Sequence, residues 1–292
     1  MLINIILFTA ILAVSWAAIF VRWCDDTPAS IIALYRMLWS FFLFAAVTKL
    51  EFCAQFKESA LNKKEKIALP CAGVLLAFHF ITWIGSLQLT TVAHSLMIYS
   101  TQPVFAVFLS PLLLNEKASF RSIMAILITL AGILIITGYD FGIDKSQFFG
   151  DVLALLSALF LTLYIFLARY FRNKIKFLPY VTLVYGSATI TLLVYNIVYG
   201  FNLIRYELKT HFFMFLLALI PTGIGHSLLN WIARKIEVYK VNLASLGEFV
   251  FASLFAYILF SEKPGKVFYI GALLVSGGII FSIMEKKGTE DS

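Results

Sequence analysis

The run LASLGEFVFASL (243–254) sets one ionisable side chain, Glu248, in a stretch otherwise made for lipid. A carboxyl at such a place is costly in hydrocarbon and must meet protein or water. Two uses are open to it. It can alternate between a protonated form when water is excluded and an ionised form when water enters, or it can sit as a structural carboxyl hydrogen-bonded to a neighbouring helix. The run MIYSTQPVFAVF (97–108), 146 positions earlier, is almost as apolar and carries Gln102 at the matching place. Tyr99, Gln102 and Ala106 share one helix face at i, i+3 and i+7, and they map onto Ser245, Glu248 and Ala252. Each stretch therefore presents a small-and-polar stripe, suited to close helix approach and to polar contacts with a partner or water.

Other residues could share the work. His79 and Trp83 are spaced i, i+4, as are His226 and Asn230, the second pair one place out of register with the 146 offset. Each pair occupies one helix face and could bind an amide, a carboxylate or a ring, or else serve interhelical packing. Two histidines without a cysteine or carboxylate cluster make no metal ligand set, and no cofactor motif accompanies them. Trp16, Tyr99 and Tyr164 are deeper aromatics that fit a cavity wall as well as a packed core, whereas Trp23 and Tyr139 read as interfacial anchors. Arg36, six residues into an apolar run, has Thr182 as its counterpart, so the repeat does not explain it. It can snorkel to an interface, neutralise a substrate carboxylate, or form a structural or gating ion pair with a carboxylate such as Glu248; the pairing habit of intramembrane charges favours the last.

The elements that must hold these residues are membrane helices. Of 292 residues, 61% are hydrophobic and only 13% charged, which places the chain among polytopic membrane proteins. Ten runs reach about 20 residues, enough to cross a hydrocarbon core: 2–21, 30–48, 67–87, 91–113, 120–138, 148–168, 180–200, 211–233, 239–260 and 266–284. The first lacks a basic leader and a cleavage site and is read as a retained helix. The gaps leave no room for a soluble domain. Cys24, Cys53 and Cys71 define no disulfide framework.

The net charge of +7 reports orientation, not a nucleic-acid partner. With the N-terminus inside, sixteen Lys and Arg residues fall on the inner side against six outside, so both termini are expected to be cytoplasmic.

The 146 offset also superposes Glu116-Lys117 on Glu262-Lys263 and Gly132 on Gly278. The fold expected is all-α, ten transmembrane helices in two five-helix repeats, 1–146 and 147–292. Five is odd, so the second copy enters the membrane with opposite polarity. Inverted repeats of this kind place a substrate site near the midplane between the halves. Glu116 and Glu262, at helix ends beside Lys, read as capping or loop contacts.

The segments HFITWIGSLQLTTVAHSLMIYSTQPVFAVFLSPLLLNEK (79–117) and GHSLLNWIARKIEVYKVNLASLGEFVFASLFAYILFSEKP (225–264), with SWAAIFVR (15–22) and ALYRMLWS (33–40), resemble the EamA-type modules of the drug/metabolite transporter superfamily. The resemblance implies alternating access around a cavity lined chiefly by helices 1, 3, 4, 6, 8 and 9, in a bacterial inner membrane. It implies a small organic solute, often an amino acid or related metabolite moving outward; protons as the candidate coupling ion follow instead from Glu248, whose carboxyl can take up and release one. Uptake or exchange of a cofactor, nucleotide-like or phosphorylated metabolite is the alternative; a phosphate cargo would favour more embedded Lys or Arg than Arg36 alone. Beyond solute and bilayer no partner is implied, and the chain is expected as monomer or homodimer. Relatives often read Glu-Pro where this chain has Glu248-Phe249, which argues against a local break in helix nine, whereas Pro103 is kept in the first copy. No H-E-x-x-H, G-x-S-x-G or nucleotide-binding loop points to an enzyme or an ATP-driven pump. No selectivity-filter-like segment or ring of charges points to a channel.

Overall fold

In the computed structural model the described residues are 2–24, 26–48, 61–90, 92–116, 119–137, 145–260 and 266–283, and helices account for nearly all of them. In hydrocarbon every peptide group must be satisfied within its own segment, and a helix does this. We number them α1 Leu2–Arg22, α2 Ala29–Thr48, α3 Lys63–Leu89, α4 Val92–Tyr99, α5 Gln102–Leu114 and α6 Phe120–Thr137. There follow α7 Lys145–Tyr170, α8 Phe177–Val198, α9 Leu208–Ala233, α10 Val238–Phe260 and α11 Lys266–Ile283. Seven helices among the described residues are long and apolar enough to cross a membrane, so the chain is a multi-pass membrane protein. Glu262, Lys263, Lys117, Cys53 and Tyr139 lie outside the described residues.

Local chemistry explains where the elements depart from the apolar runs. The third run starts at Lys63, earlier than hydropathy alone suggests, because Asn62 and Glu65 form a reciprocal capping box that satisfies the first turn. The fourth run is not continuous. It turns at Ser100–Thr101, where Thr101 N–H bonds to Ile98 O at 3.1 Å and Val104 N–H to Thr101 O at 2.9 Å. The ninth run turns at Leu246, with the same pair of tight bonds, Leu246 N–H to Leu243 O and Phe249 N–H to Leu246 O, both 3.2 Å. The missing proline at Phe249 does not prevent this break; three-residue bonds tighten the backbone without one. The first run also turns, at Ser15–Trp16, and there the Ser15 hydroxyl bonds to Ile11 O at 2.7 Å.

Within α9, Ala218–His226 is a nine-residue π-helix containing Pro221. Its wider turns take one residue more per turn than an α-helix. This coincides with the one-place slip between His79 and His226, and the two rings arrive 5.9 Å apart. Thr222 and Ser227 hydroxyls bond to carbonyls five residues back, Leu217 O at 3.1 Å and Thr222 O at 3.0 Å, restoring bonds that the π geometry loosens.

The helices pack α6 on α11, α3 on α7 and α8, α2 on α8 and α1 on α9. At the α6–α11 crossing the backbones touch. A Cβ on Gly132 would lie 2.7 Å from Gly271 O and 2.8 Å from Leu274 Cβ, and one on Gly278 would lie 2.8 Å from Ala125 O. Only residues without a side chain let membrane helices approach this closely. Moving down α6 from Gly132 to Ala125 carries the contact up α11 from Gly271 to Gly278, so these two helices run in opposite directions. Gly278→Leu is expected to cost about 2 kcal/mol or more of stability through overpacking. The matched Gly277→Leu, whose Cβ meets nothing within 4 Å, should cost little, and the unfolding midpoint in detergent compares them.

Candidate functional site

Near the centre, six helices enclose a compartment of about 10 Å³ lined by Ala17 of α1, Arg36 of α2, His79, Phe80 and Trp83 of α3, Tyr99 of α4, His226 of α9 and Glu248 of α10. That is room for about one water. Arg36 is completely buried. Its Nε donates to Thr222 Oγ1 at 2.6 Å and its guanidinium lies 3.9 Å from the centre of the Phe80 ring, a cation–π contact. These two contacts fix the plane of the fork. Nη1 and Nη2 have no hydrogen-bond partner, nor do Trp83 Nε1 and His226 Nδ1. Each buried polar atom left so costs about 1–3 kcal/mol, more when charged, which packing alone would not sustain.

The rings around the guanidinium form one wall. His79 lies 5.8 Å from Tyr99, Trp83 6.3 Å from Tyr99, and Phe80 5.2 Å from His226, centre to centre. His79 Nδ1 stands 3.2 Å from Ser157 O and 2.8 Å from Ser157 Oγ on α7. Because a carbonyl only accepts, the first contact puts the neutral ring's proton on Nδ1 and leaves Nε2 as an acceptor. Glu248, 7% exposed, sits in the first turn of the helical piece that follows the Leu246 break, and its carbonyl takes the Ser15 hydroxyl at 3.4 Å. The corresponding carbonyl of Gln102 takes the Thr162 hydroxyl at 3.4 Å. Two broken helices thus each receive a hydroxyl from the first helix of the other half.

The structure gathers Glu248, Arg36, His79, Trp83, Tyr99 and His226 in one place. The others are not among the compartment's lining residues. Gln102 is not in the lining. Its side chain nevertheless reaches Tyr99, which is in the lining, and its buried Oε1 has no partner. Ser245 turns its hydroxyl back to Val241 O at 3.0 Å. Trp16 stacks on Phe255 at 4.5 Å and on Phe20 at 5.6 Å, next to the lining residue Ala17. Asn230 donates to the Tyr164 hydroxyl of α7 and to His226 O one turn back, at 2.9 Å. Arg36 does not hydrogen-bond Glu248, since Nε is taken by Thr222 and both Nη atoms are free. α2 therefore joins the wall, and α7 supports it from behind through Ser157.

Sequence reasoning missed Thr222 and Phe80, which hold Arg36, because hydroxyls and phenyl rings recur throughout the apolar helices.

Contacts between helices cross the bundle toward both of its ends. Toward one end, Trp23 packs on Phe213 at 4.9 Å and on Phe260 at 5.9 Å. Toward the other, Arg169 at the end of α7 bonds Glu116 Oε1 through Nη2 at 2.7 Å and Nε at 2.8 Å. Glu116 is therefore a cross-helix ion pair and not a cap. The left-handed turn at Asn115 (φ 56°) directs it there. Lys174 and the Tyr170 hydroxyl both engage Glu65 on the same side, and the pairing holds the Lys174 amine above its ordinary pKa.

The EamA-like transporter family matches residues 2–138 and again 148–284, the two halves already marked by the offset and the paired breaks. The chain belongs to that family. EamA-like relatives include the uncharacterized transporter YdfC of Bacillus subtilis (strain 168), 26% identical over 71% of this chain and 67% of that one. The uncharacterized transporter YoaV of the same organism is 23% identical over 96% of each chain. An S-adenosylmethionine uptake transporter of Rickettsia prowazekii (strain Madrid E) is 20% identical over 86% of this chain and 83% of its own. A solved crystal structure superposes with a TM-score of 0.79 over 96% of both chains at 17% identity, a likeness of fold.

Proposed function

We propose that this EamA transporter is a secondary carrier that moves a small amphipathic solute bearing a carboxylate by alternating access around the Arg36–Glu248 compartment. The observation that carries the reading is a fully buried guanidinium with both Nη atoms free, fixed in plane and facing a carboxyl and a wall of rings. A planar fork with two parallel N–H groups matches a carboxylate bidentately, and Glu248 offers an acceptor to an ammonium group. An amino acid or related metabolite combines the two. Aromatic walls with a few convergent polar groups suit such a cargo.

Ten spans in two inverted repeats, 1–146 and 147–292, are part of this reading. The opposed run of α6 and α11, the matching breaks and the paired hydroxyl contacts at Gln102 and Glu248 support it. The sixteen-to-six basic asymmetry supports cytoplasmic termini; a bacterial inner membrane and outward movement follow the family resemblance, and exchange for protons rests on the buried carboxyl of Glu248. A second reading, uptake, is favoured by the name of the Rickettsia relative. Its named cargo also carries an amino-acid carboxylate and amine, so the same pair of charges would serve.

Counterflow in proteoliposomes tests the reading. Amino acids and S-adenosylmethionine are supplied alongside their decarboxylated amines, with and without a proton gradient. We expect carboxylate-bearing members to exchange and the matched amines to fail. Exchange of amines at the same rate would remove the role given to Arg36.

A further inference from the structure

One face of α9 continues the polar chemistry away from the compartment. Thr222, Ser227, Asn230 and Arg234 follow one another along it, over roughly 18 Å at helical rise. Thr222 holds Arg36, and Ser227 Oγ donates to Thr222 O at 3.0 Å. The Tyr185 hydroxyl pairs with Ser227 Oγ at 2.8 Å, and Asn230 Nδ2 donates to the Tyr164 hydroxyl. The guanidinium of Arg234 lies 5.7 Å from the centre of the Tyr180 ring, and its Nη2 is held by Arg172 O at 2.7 Å and by Ile175 O. Tyr164, Tyr180, Tyr185 and Asn230 are completely buried.

At the far end of this face the bonding stops short. Asn230 Oδ1, the Tyr180 hydroxyl and Arg234 Nη1 are buried without a partner. Buried groups of this kind ordinarily find one. A fixed cation, a hydroxyl donor and an amide acceptor repeat, on a smaller scale, the chemistry of Arg36 and Glu248.

We infer that this face of α9 is the route between the central compartment and the membrane face on which α9 ends, and that Arg234, Tyr180 and Asn230 form a second station for the same carboxylate. The inference rests on the carrier reading for its solute. Arg234 Nη1 and the Tyr180 O–H donate to the carboxylate, and Asn230 Oδ1 accepts from the amino group beside it. Two cations at the ends of the track make it selective for anions over cations. In the structure the track is packed, with Tyr185, Ser227 and Thr222 bonded to one another and Asn230 to Tyr164.

The test places a thiol in the track. Asn230→Cys is made in a chain whose Cys24, Cys53 and Cys71 are changed to Ser, with Ser227→Cys as a second, one-atom exchange in case the first disturbs the Tyr164 contact. The probes are anionic 2-sulfonatoethyl methanethiosulfonate and cationic trimethylammonioethyl methanethiosulfonate, applied to each membrane face, with exposed Lys235→Cys as the reference thiol. We expect labelling from the α9-end face alone, with the anionic reagent faster by on the order of tenfold and Arg234→Gln removing that preference. Labelling from the opposite face, a cationic preference, an equal rate for both reagents, or no labelling at either position while the reference reacts would each overturn the route. Any of these beside normal counterflow would leave the carrier reading standing. Anion-selective labelling without counterflow would instead remove the carrier reading and keep a polar crevice.

Discussion

Arg36→Met is expected to abolish carboxylate transport while leaving the purified protein at least as stable to heat as the parent. Two charge-assisted hydrogen bonds to a substrate carboxylate are worth about 1.5–3 kcal/mol each, so losing both lowers transport by a hundredfold or more. Stability should move the other way. The guanidinium is buried with both Nη atoms unbonded, a desolvation cost that its Thr222 and Phe80 contacts only partly offset. Replacing buried charges by apolar side chains of similar volume is often neutral or stabilising by about 1–4 kcal/mol. A structural Arg36 predicts the reverse, a marked fall in the unfolding midpoint accompanying any loss of transport. Paired measurements of melting in detergent and counterflow separate the two accounts. Arg36→Lys, which keeps the charge and loses the fork, should recover folding but little transport.

The same residue shows what was legible in the sequence. A charge six residues into an apolar run is visible without a structure, and so are Glu248 and the i, i+4 pair of His79 and Trp83. All of them line the compartment. What Arg36 touches was not visible. Its anchor, Thr222, stands 186 positions away in a helix where hydroxyls are common. Many such hydroxyls bond their own backbone, as Thr191 does to Ser187 O and Thr189 to Tyr185 O.

Helical periodicity also assumes an unbroken helix. It put Gln102 on the Tyr99 face, and across the turn at Ser100–Thr101 the Gln102 side chain still reaches Tyr99 without joining the compartment lining. It left His226 one place out of register, and the π-helix in α9 brought it back. The apolar runs located the seven membrane-length helices among the described residues, because the bilayer sets their length and composition. The site depends on the few turns where the chain departs from regular helix, and hydropathy does not report those.

Those departures bear on Glu248. It begins the second piece of a broken helix, and its carbonyl is already engaged by Ser15 of α1 at the turn of that helix. A change in the packing of α1 against α10 would therefore move the carboxyl relative to Arg36, two groups that share a compartment without a hydrogen bond between them. Water entering with the solute would favour the ionised form, and water leaving would favour the protonated one. Transport would carry a proton each time the compartment wets and dries.

Glu248→Gln keeps the size and the hydrogen-bonding capacity of the side chain and loses only its proton. We expect the variant to fold, to exchange solute for solute, and to be indifferent to an imposed proton gradient. For one proton per cycle, a gradient of one pH unit is worth about 1.4 kcal/mol, or tenfold in the accumulation ratio. The parent should show that tenfold and Glu248→Gln a ratio of one, measured as steady-state solute inside and outside proteoliposomes. If the gradient drives the variant as far as the parent, Glu248 does not couple protons. If the variant also loses exchange, the carboxylate is needed to hold the solute, as an ammonium-binding acceptor would be.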